Sequence, residues 1–237
     1  MATTFGRTDK IDIFNLVATL LSTEAITDTE FATPTLKVTK SIVSVYRIAR
    51  NALLREHNWR FARVVTELID APATVTLLGW NYFYYYPDYA NLPTGNNKPQ
   101  GSAYLRNVFT DTESQDPEPI DYKLFNVVDP DNSIDGVFIA TQEDDAYAEY
   151  TNYGLDDLAD DSTYGGVNSL HYDPMFSEVL GFKIAAMICK TVTGDINLAD
   201  NLARRFNTLL AKTKIYDKRE EKLTNTKLKT NDYIDAR

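Results

Sequence analysis

Apolar residues recur at spacings of three and four in four stretches of the chain, and at spacings of two in the region between the second and third of these. Ile13, Phe14, Leu16, Val17, Leu20 and Leu21 fall mostly on one side of a helix expected over 11–22. Residues 23–33 read as a connector. A second helix is expected over 35–57, with Pro34 suited to its start and Ile42, Val45, Tyr46, Ala49, Ala52 and Leu53 as its apolar stripe. Neither helix can bury its stripe alone.

From residue 61 the pattern changes. Alternating or β-rich segments are expected at 61–70, 74–86, 103–109, 120–128, 137–141 and 146–151, separated by breakers such as Pro72, Pro87, Pro93, Pro117 and Pro130. This spacing predicts an antiparallel sheet or a small barrel. Helix returns with Asp173 as N-cap and Pro174 in the first turn. Phe176, Val179, Leu180, Ile184, Met187 and Ile188 form its wide apolar face, and Gly194 is its terminator. A last helix starts at Asp195 and carries Leu198, Leu202, Phe206, Leu209, Leu210 and Tyr216 on one stripe. Its acidic residues come early and its basic ones late, which complements the helix dipole. The predicted fold is α+β. An antiparallel four-helix bundle (10–60 and 171–222) holds a β-sheet or small-barrel domain (61–170) inserted between its second and third helices. An extended tail, 223–237, is too polar to pack by itself.

Composition agrees with a folded chain: 43% of the 237 residues are apolar. No apolar run reaches the roughly 18 residues that span a membrane, and Met1 to Lys10 lacks the core of a signal peptide. The chain is therefore expected to stay in the cytoplasm in which it is made. Cys189 lies in an apolar run and reads as a buried inert thiol. Net charge is −10, and between Asp111 and Asp161 sixteen acidic residues face one basic residue, Lys123. Basic residues gather at Arg47, Arg50, Arg55, Arg60 and Arg63 and again from Arg204 to Lys229. Separated surfaces of opposite sign can guide self-association, whereas a duplex-binding protein would carry a net basic footprint.

Candidate chemistry is sparse. The run from Trp80 to Tyr89 places aromatics on both faces of a strand. Both faces can be buried, or one face can leave Trp80, Tyr84 and Tyr86 as interface anchors. No basic residue within the run could hold a phosphate backbone. Asp131, Ser133, Asp135 and Gly136 mimic the start of a calcium loop, but Gln142 stands where the bidentate Glu belongs. His57 and His171 are the only histidines, without metal-ligand spacing. No phosphate loop, nucleophile elbow or zinc signature is present. No metal or other cofactor is expected, and the chain reads as a non-enzyme. The acidic stretch leaves one alternative, a carbohydrate-acting hydrolase with a carboxylate pair.

The phrase Leu53-Leu54-Arg55-Glu56-His57-Asn58-Trp59-Arg60-Phe61-Ala62 resembles the tail tubular protein A type of head-to-tail adaptor of short-tailed bacteriophages. Trp80-Asn81-Tyr82 with Tyr86-Pro87-Asp88, Tyr104 to Val108, Val137 to Thr141, Ala146 to Tyr150 and Asp173 to Phe176 leading into Lys183 to Ala186 resemble later segments of that family, in order. The loop around 93–99 and the stretch 152–170 depart from its pattern. The resemblance implies a structural virion protein of the tail or neck that joins the portal to the tail nozzle. Its members form a homo-oligomeric ring, typically a dodecamer, through which DNA passes without specific binding. They need no cofactor and no membrane. In this setting Trp59 and Phe61 are expected to pack at the bundle–insert junction. Lys227, Lys229 and Arg237 on the tail, with Trp80, Tyr84 and Tyr86, are the candidate interface residues.

Overall fold

A computed structural model of the protein describes residues 10–86, 103–110, 118–129, 134–152 and 172–231. Among the described residues the chain is mixed α+β. Its helices are α1 (Lys10–Leu20), α2 (Asp28–Ala32), α3 (Lys37–Glu56), α4 (Pro174–Thr193) and α5 (Ile196–Asn231). A single 3-10 turn, Arg60–Ala62, leads into β1 (Arg63–Glu67). The other strands are β2 (Tyr82–Tyr85), β3 (Ala103–Phe109), β4 (Tyr122–Asp129), β5 (Ile134–Thr141) and β6 (Tyr147–Asn152). Two compact units result: Met1–Phe61 with Leu170–Arg237, which contains the helices, and Ala62–Ser169, which contains the strands.

In the helical unit α4 packs against α1, α3 and α5. Its start is fixed by the Asp173 carboxylate, which accepts the N–H groups of Met175 (2.8 Å) and Phe176 (3.3 Å), with Pro174 at the first helical position. Gly194 ends it in the left-handed region at φ 76°, its N–H bonded to the Lys190 carbonyl. Asp195 then caps α5 by accepting the Leu198 N–H at 3.0 Å. Two residues between helices force α4 and α5 into an antiparallel hairpin. At Gly181 α1 comes so close that a Cβ would sit 2.6 Å from Leu16 Cδ2.

Two helical expectations need correction. The 23–33 connector contains α2, whose Thr27 side chain accepts the Glu30 N–H. Glu30 in turn caps α3, which lacks an N-cap side chain of its own. Its carboxylate accepts the N–H groups of Thr35 (2.7 Å) and Leu36 (2.6 Å) and the Thr35 hydroxyl (2.6 Å). These bonds, the Thr35 hydroxyl foremost, lower its pKa from 4.5 to about 2. The second correction concerns the tail. Helix α5 continues to Asn231, past residue 222, because nothing from Ile196 onward is Gly or Pro and Lys, Glu and Leu all tolerate helix.

Among the described residues of the β unit, the strands form neither one continuous sheet nor one continuous barrel ladder. The strands make two antiparallel three-stranded sheets, in the orders β1-β6-β3 and β2-β5-β4. The sheets meet along two narrow seams. At one, the chain leaving β1 makes a bridge between Asp70 and Tyr84; at the other, the Ile120 N–H bonds the Val108 carbonyl at 2.8 Å. Leu68, Tyr84, Leu105, Val108, Ile139, Ala146 and Ala148 form the core of this unit.

Two outcomes follow from the helical unit. Gly181→Leu forces α1 away from α4 and lowers stability by about 1–3 kcal/mol in a urea titration, while Gly181→Ala, which Leu16 can accommodate by moving its side-chain end, costs far less. Glu30 has a depressed folded pKa, so its clamp stabilises fully above about pH 4.5 and is lost as pH falls toward 2. Thermal melts of wild type and Glu30→Gln are therefore expected to differ near neutrality and converge across that window.

Candidate interaction surfaces

Strand β2 holds most of the aromatic run, and its pairing decides which rings are available. Tyr84 lies opposite Ile139 and Tyr85 opposite Phe138. Residues 82, 84 and 86 therefore share one face, and 83 and 85 the other. The even-numbered face is the core face. Tyr84 is 1% exposed, and its hydroxyl donates to the Glu143 carbonyl at 3.3 Å. Burial, then the nearby Asp144 and Asp70 carboxylates, raise its pKa. Tyr86 packs against the same core and its hydroxyl accepts the Leu105 N–H at 3.0 Å. The expectation that Tyr84 anchors an interface is thus overturned: alternation sends it inward.

On the opposite face Phe83, Phe125, Phe138 and Tyr85 form a chain of rings, with centroids 6.0, 6.0 and 5.4 Å apart. This ladder was not anticipated. Its only sequence signal is a pair of alternate aromatics in β2 facing two more in β4 and β5, and nothing in the sequence sets that register. Trp80 stands outside the strand and half-buried, at a turn where its N–H bonds the Leu77 carbonyl at 3.1 Å.

Trp59 and Phe61 both lie in the helical unit's core region. The buried Trp59 indole donates to the Leu53 carbonyl at 2.8 Å and meets Phe176 edge-on at 5.1 Å. Phe61 contacts Phe176 at 4.9 Å and Tyr172 at 6.0 Å. Beside them His57 Nε2 lies 2.8 Å from Asp217 Oδ2, so α5 is tied to the end of α3. Lys214 pairs with Glu56 at 3.0 Å. Lys183, lowered in pKa by burial, lies 5.5 Å over the Phe206 ring. These contacts use His57 to join helices. Lys227 and Lys229 are carried by α5. Arg237, His171 and the calcium-like Asp131–Ser133 segment lie outside the described residues. Among the described residues no three His, Cys, Asp or Glu side chains converge on a metal position, and no helix is long and apolar enough to cross a membrane.

No protein-family model matches this chain, and no curated protein does. Charge is the property that most sharply separates its two units. Ala62–Ser169 holds nineteen Asp and Glu against four Lys and Arg, a net of −15. The remaining residues hold fifteen against twenty, a net of +5. At physiological ionic strength charges act over about 8 Å, so such a division matters for surfaces that come into contact. It favours binding between unlike surfaces of separate molecules.

Tyr84→Ala empties the centre of the β core and is expected to cost about 3–5 kcal/mol in urea unfolding, whereas Trp80→Ala costs well under half as much. Equal losses would show that the facing of β2 given above is wrong.

Proposed function

We propose that this protein is a ring-forming head-to-tail adaptor of a short-tailed bacteriophage, a structural virion protein that joins the portal to the tail nozzle and forms part of the DNA ejection channel. The observation that carries this reading is the ordered series of phrases. Residues 53–62 end α3 and form the 3-10 turn before β1, residues 80–82 lead into β2, and 104–108 lie in β3. Residues 137–141 close β5, 147–150 lie in β6, and 173–176 start α4. In this reading the four longer helices form an antiparallel bundle with the β domain inserted between α3 and α4. The protein acts by assembly, as a homo-oligomer that is dodecameric if the resemblance holds in full, and no catalytic step is needed.

The charge division supports the same reading. Acidic residues of 111–161 facing the channel repel phosphates and let DNA slide, where a basic lining would bind it. The C-terminal segment with Lys227, Lys229 and Arg237 is assigned to contact with the portal or a neighbouring subunit.

Electron microscopy of the protein mixed with its portal tests the proposal. A ring on the portal's narrow end with an acidic lumen is the expected result. Absence of any portal binding, or polysaccharide hydrolysis abolished by a single Asp or Glu substitution, would sink it in favour of a carbohydrate-acting enzyme.

A further inference from the structure

Leu77, Leu78, Gly79 and Trp80 form a tight turn closed by the Trp80 N–H on the Leu77 carbonyl. Gly79 sits at φ 87°, the value that the third position of a type II turn requires. The turn is braced from the β5 end: the Gln142 amide donates to the Gly79 carbonyl and accepts from the Asn81 amide, and the Asn81 N–H bonds the Thr141 carbonyl. This bracing holds Leu78 fully in water, at 100% exposure. A supported leucine at a turn tip costs apolar exposure that folding alone does not require. The residues next along the chain, Glu143, Asp144 and Asp145, are all exposed and acidic. The turn is an apolar tip with an acidic collar.

Its complement exists on the same chain. Along α5, Arg205, Thr208, Lys212, Ile215, Tyr216 and Arg219 recur at three and four residues and all are exposed. Ile215 and Tyr216 are about half exposed, at 53% and 49%, and lie side by side between Lys212 and Arg219. Exposed Val43 and Ile48 on α3 offer no comparable patch, because positions five apart point about 140° away from each other. From these two features we infer that the Leu78 turn of one copy docks on the Ile215–Tyr216 patch of a second copy, its acidic collar against Lys212 and Arg219. The contact joins unlike patches, so it can repeat from copy to copy around a ring as a heterologous contact. The acidic collar disfavours an anionic lipid surface or a nucleic acid as occupant. The inference rests on the assembly reading for the identity of the partner, and it adds the residues that make the joint.

Sedimentation velocity of the full chain over a concentration series up to about 1 mM tests it. Wild type is expected to self-associate. Leu78→Asp, and separately the pair Lys212→Glu with Arg219→Glu, are expected to weaken association at least about tenfold. Their melting should stay unchanged by circular dichroism, since every altered position is exposed. A third variant, Glu143→Lys with Asp144→Lys, should also associate poorly alone. Mixed with the Lys212→Glu, Arg219→Glu protein it should recover association, because native collar then meets native stripe and reversed meets reversed. Wild type that stays monomeric throughout, a Leu78→Asp protein that associates normally, or a mixture that recovers nothing overturns the inference. Ring formation on the portal by the same variants leaves the adaptor reading standing and separates the two failures.

Discussion

Ten of the twenty residues of α4 are buried, and they are spread around the helix: Phe176, Val179, Leu180, Phe182, Ile184, Ala185, Ile188 and Cys189 among them. At roughly 1.5–3 kcal/mol for each large side chain removed from water, exposing any side of this helix is costly. A single partner covers only one side of a helix, so α4 needs α1, α3 and α5 around it. The three have narrower stripes, each sufficient for one side of α4. The other features of the helical unit serve this arrangement. Gly181 permits the close approach of α1, Gly194 turns the chain so that α5 returns along α4, and Trp59 and Phe61 close over Phe176 at its start.

The β unit is governed by a different constraint, the two-residue period of a strand. Once Tyr84 pairs with Ile139, every aromatic in β2 is assigned a side. Tyr84 then supplies the core, while Phe83 and Tyr85 join Phe125 and Phe138 on the other face. A shift of one residue would exchange these sets. The Asp70–Tyr84 bridge and the hydrogen bonds of Ala71 to Phe83 and Tyr85 to Ile69 hold the strand at that register. The tyrosines therefore act as packing residues, and an apolar contact surface arises at a turn tip that no strand pattern marks.

Segregated charge links the two units to the proposed role in assembly. A basic helical unit and a strongly acidic β unit on each copy favour repeated unlike contacts over self-pairing of like surfaces. The same acidity disfavours tight DNA binding, which suits a conduit better than a clamp.

Much of the fold was legible from local chemistry. The Asp173-Pro174 start, the Gly194 stop and the stripes of α1, α3, α4 and α5 are written in residues within one or two turns of each other, where capping and helical period act. Six strands were legible for the same reason, although 74–86 shrank to Tyr82–Tyr85 because Gly79 and its neighbours form a turn. The cap that Glu30 gives to α3, the inward facing of Tyr84, the pairing of His57 with Asp217 and the full exposure of Leu78 were not legible. Each depends on which distant backbone or side chain comes alongside. The sequence by itself determined the kinds and order of the four longer helices and the strands, and the division of charge, since these follow from composition and short-range period. Only tertiary structure decided which residues are buried, which are presented and which helices share α4, because register and packing are set by contacts between segments far apart in the chain.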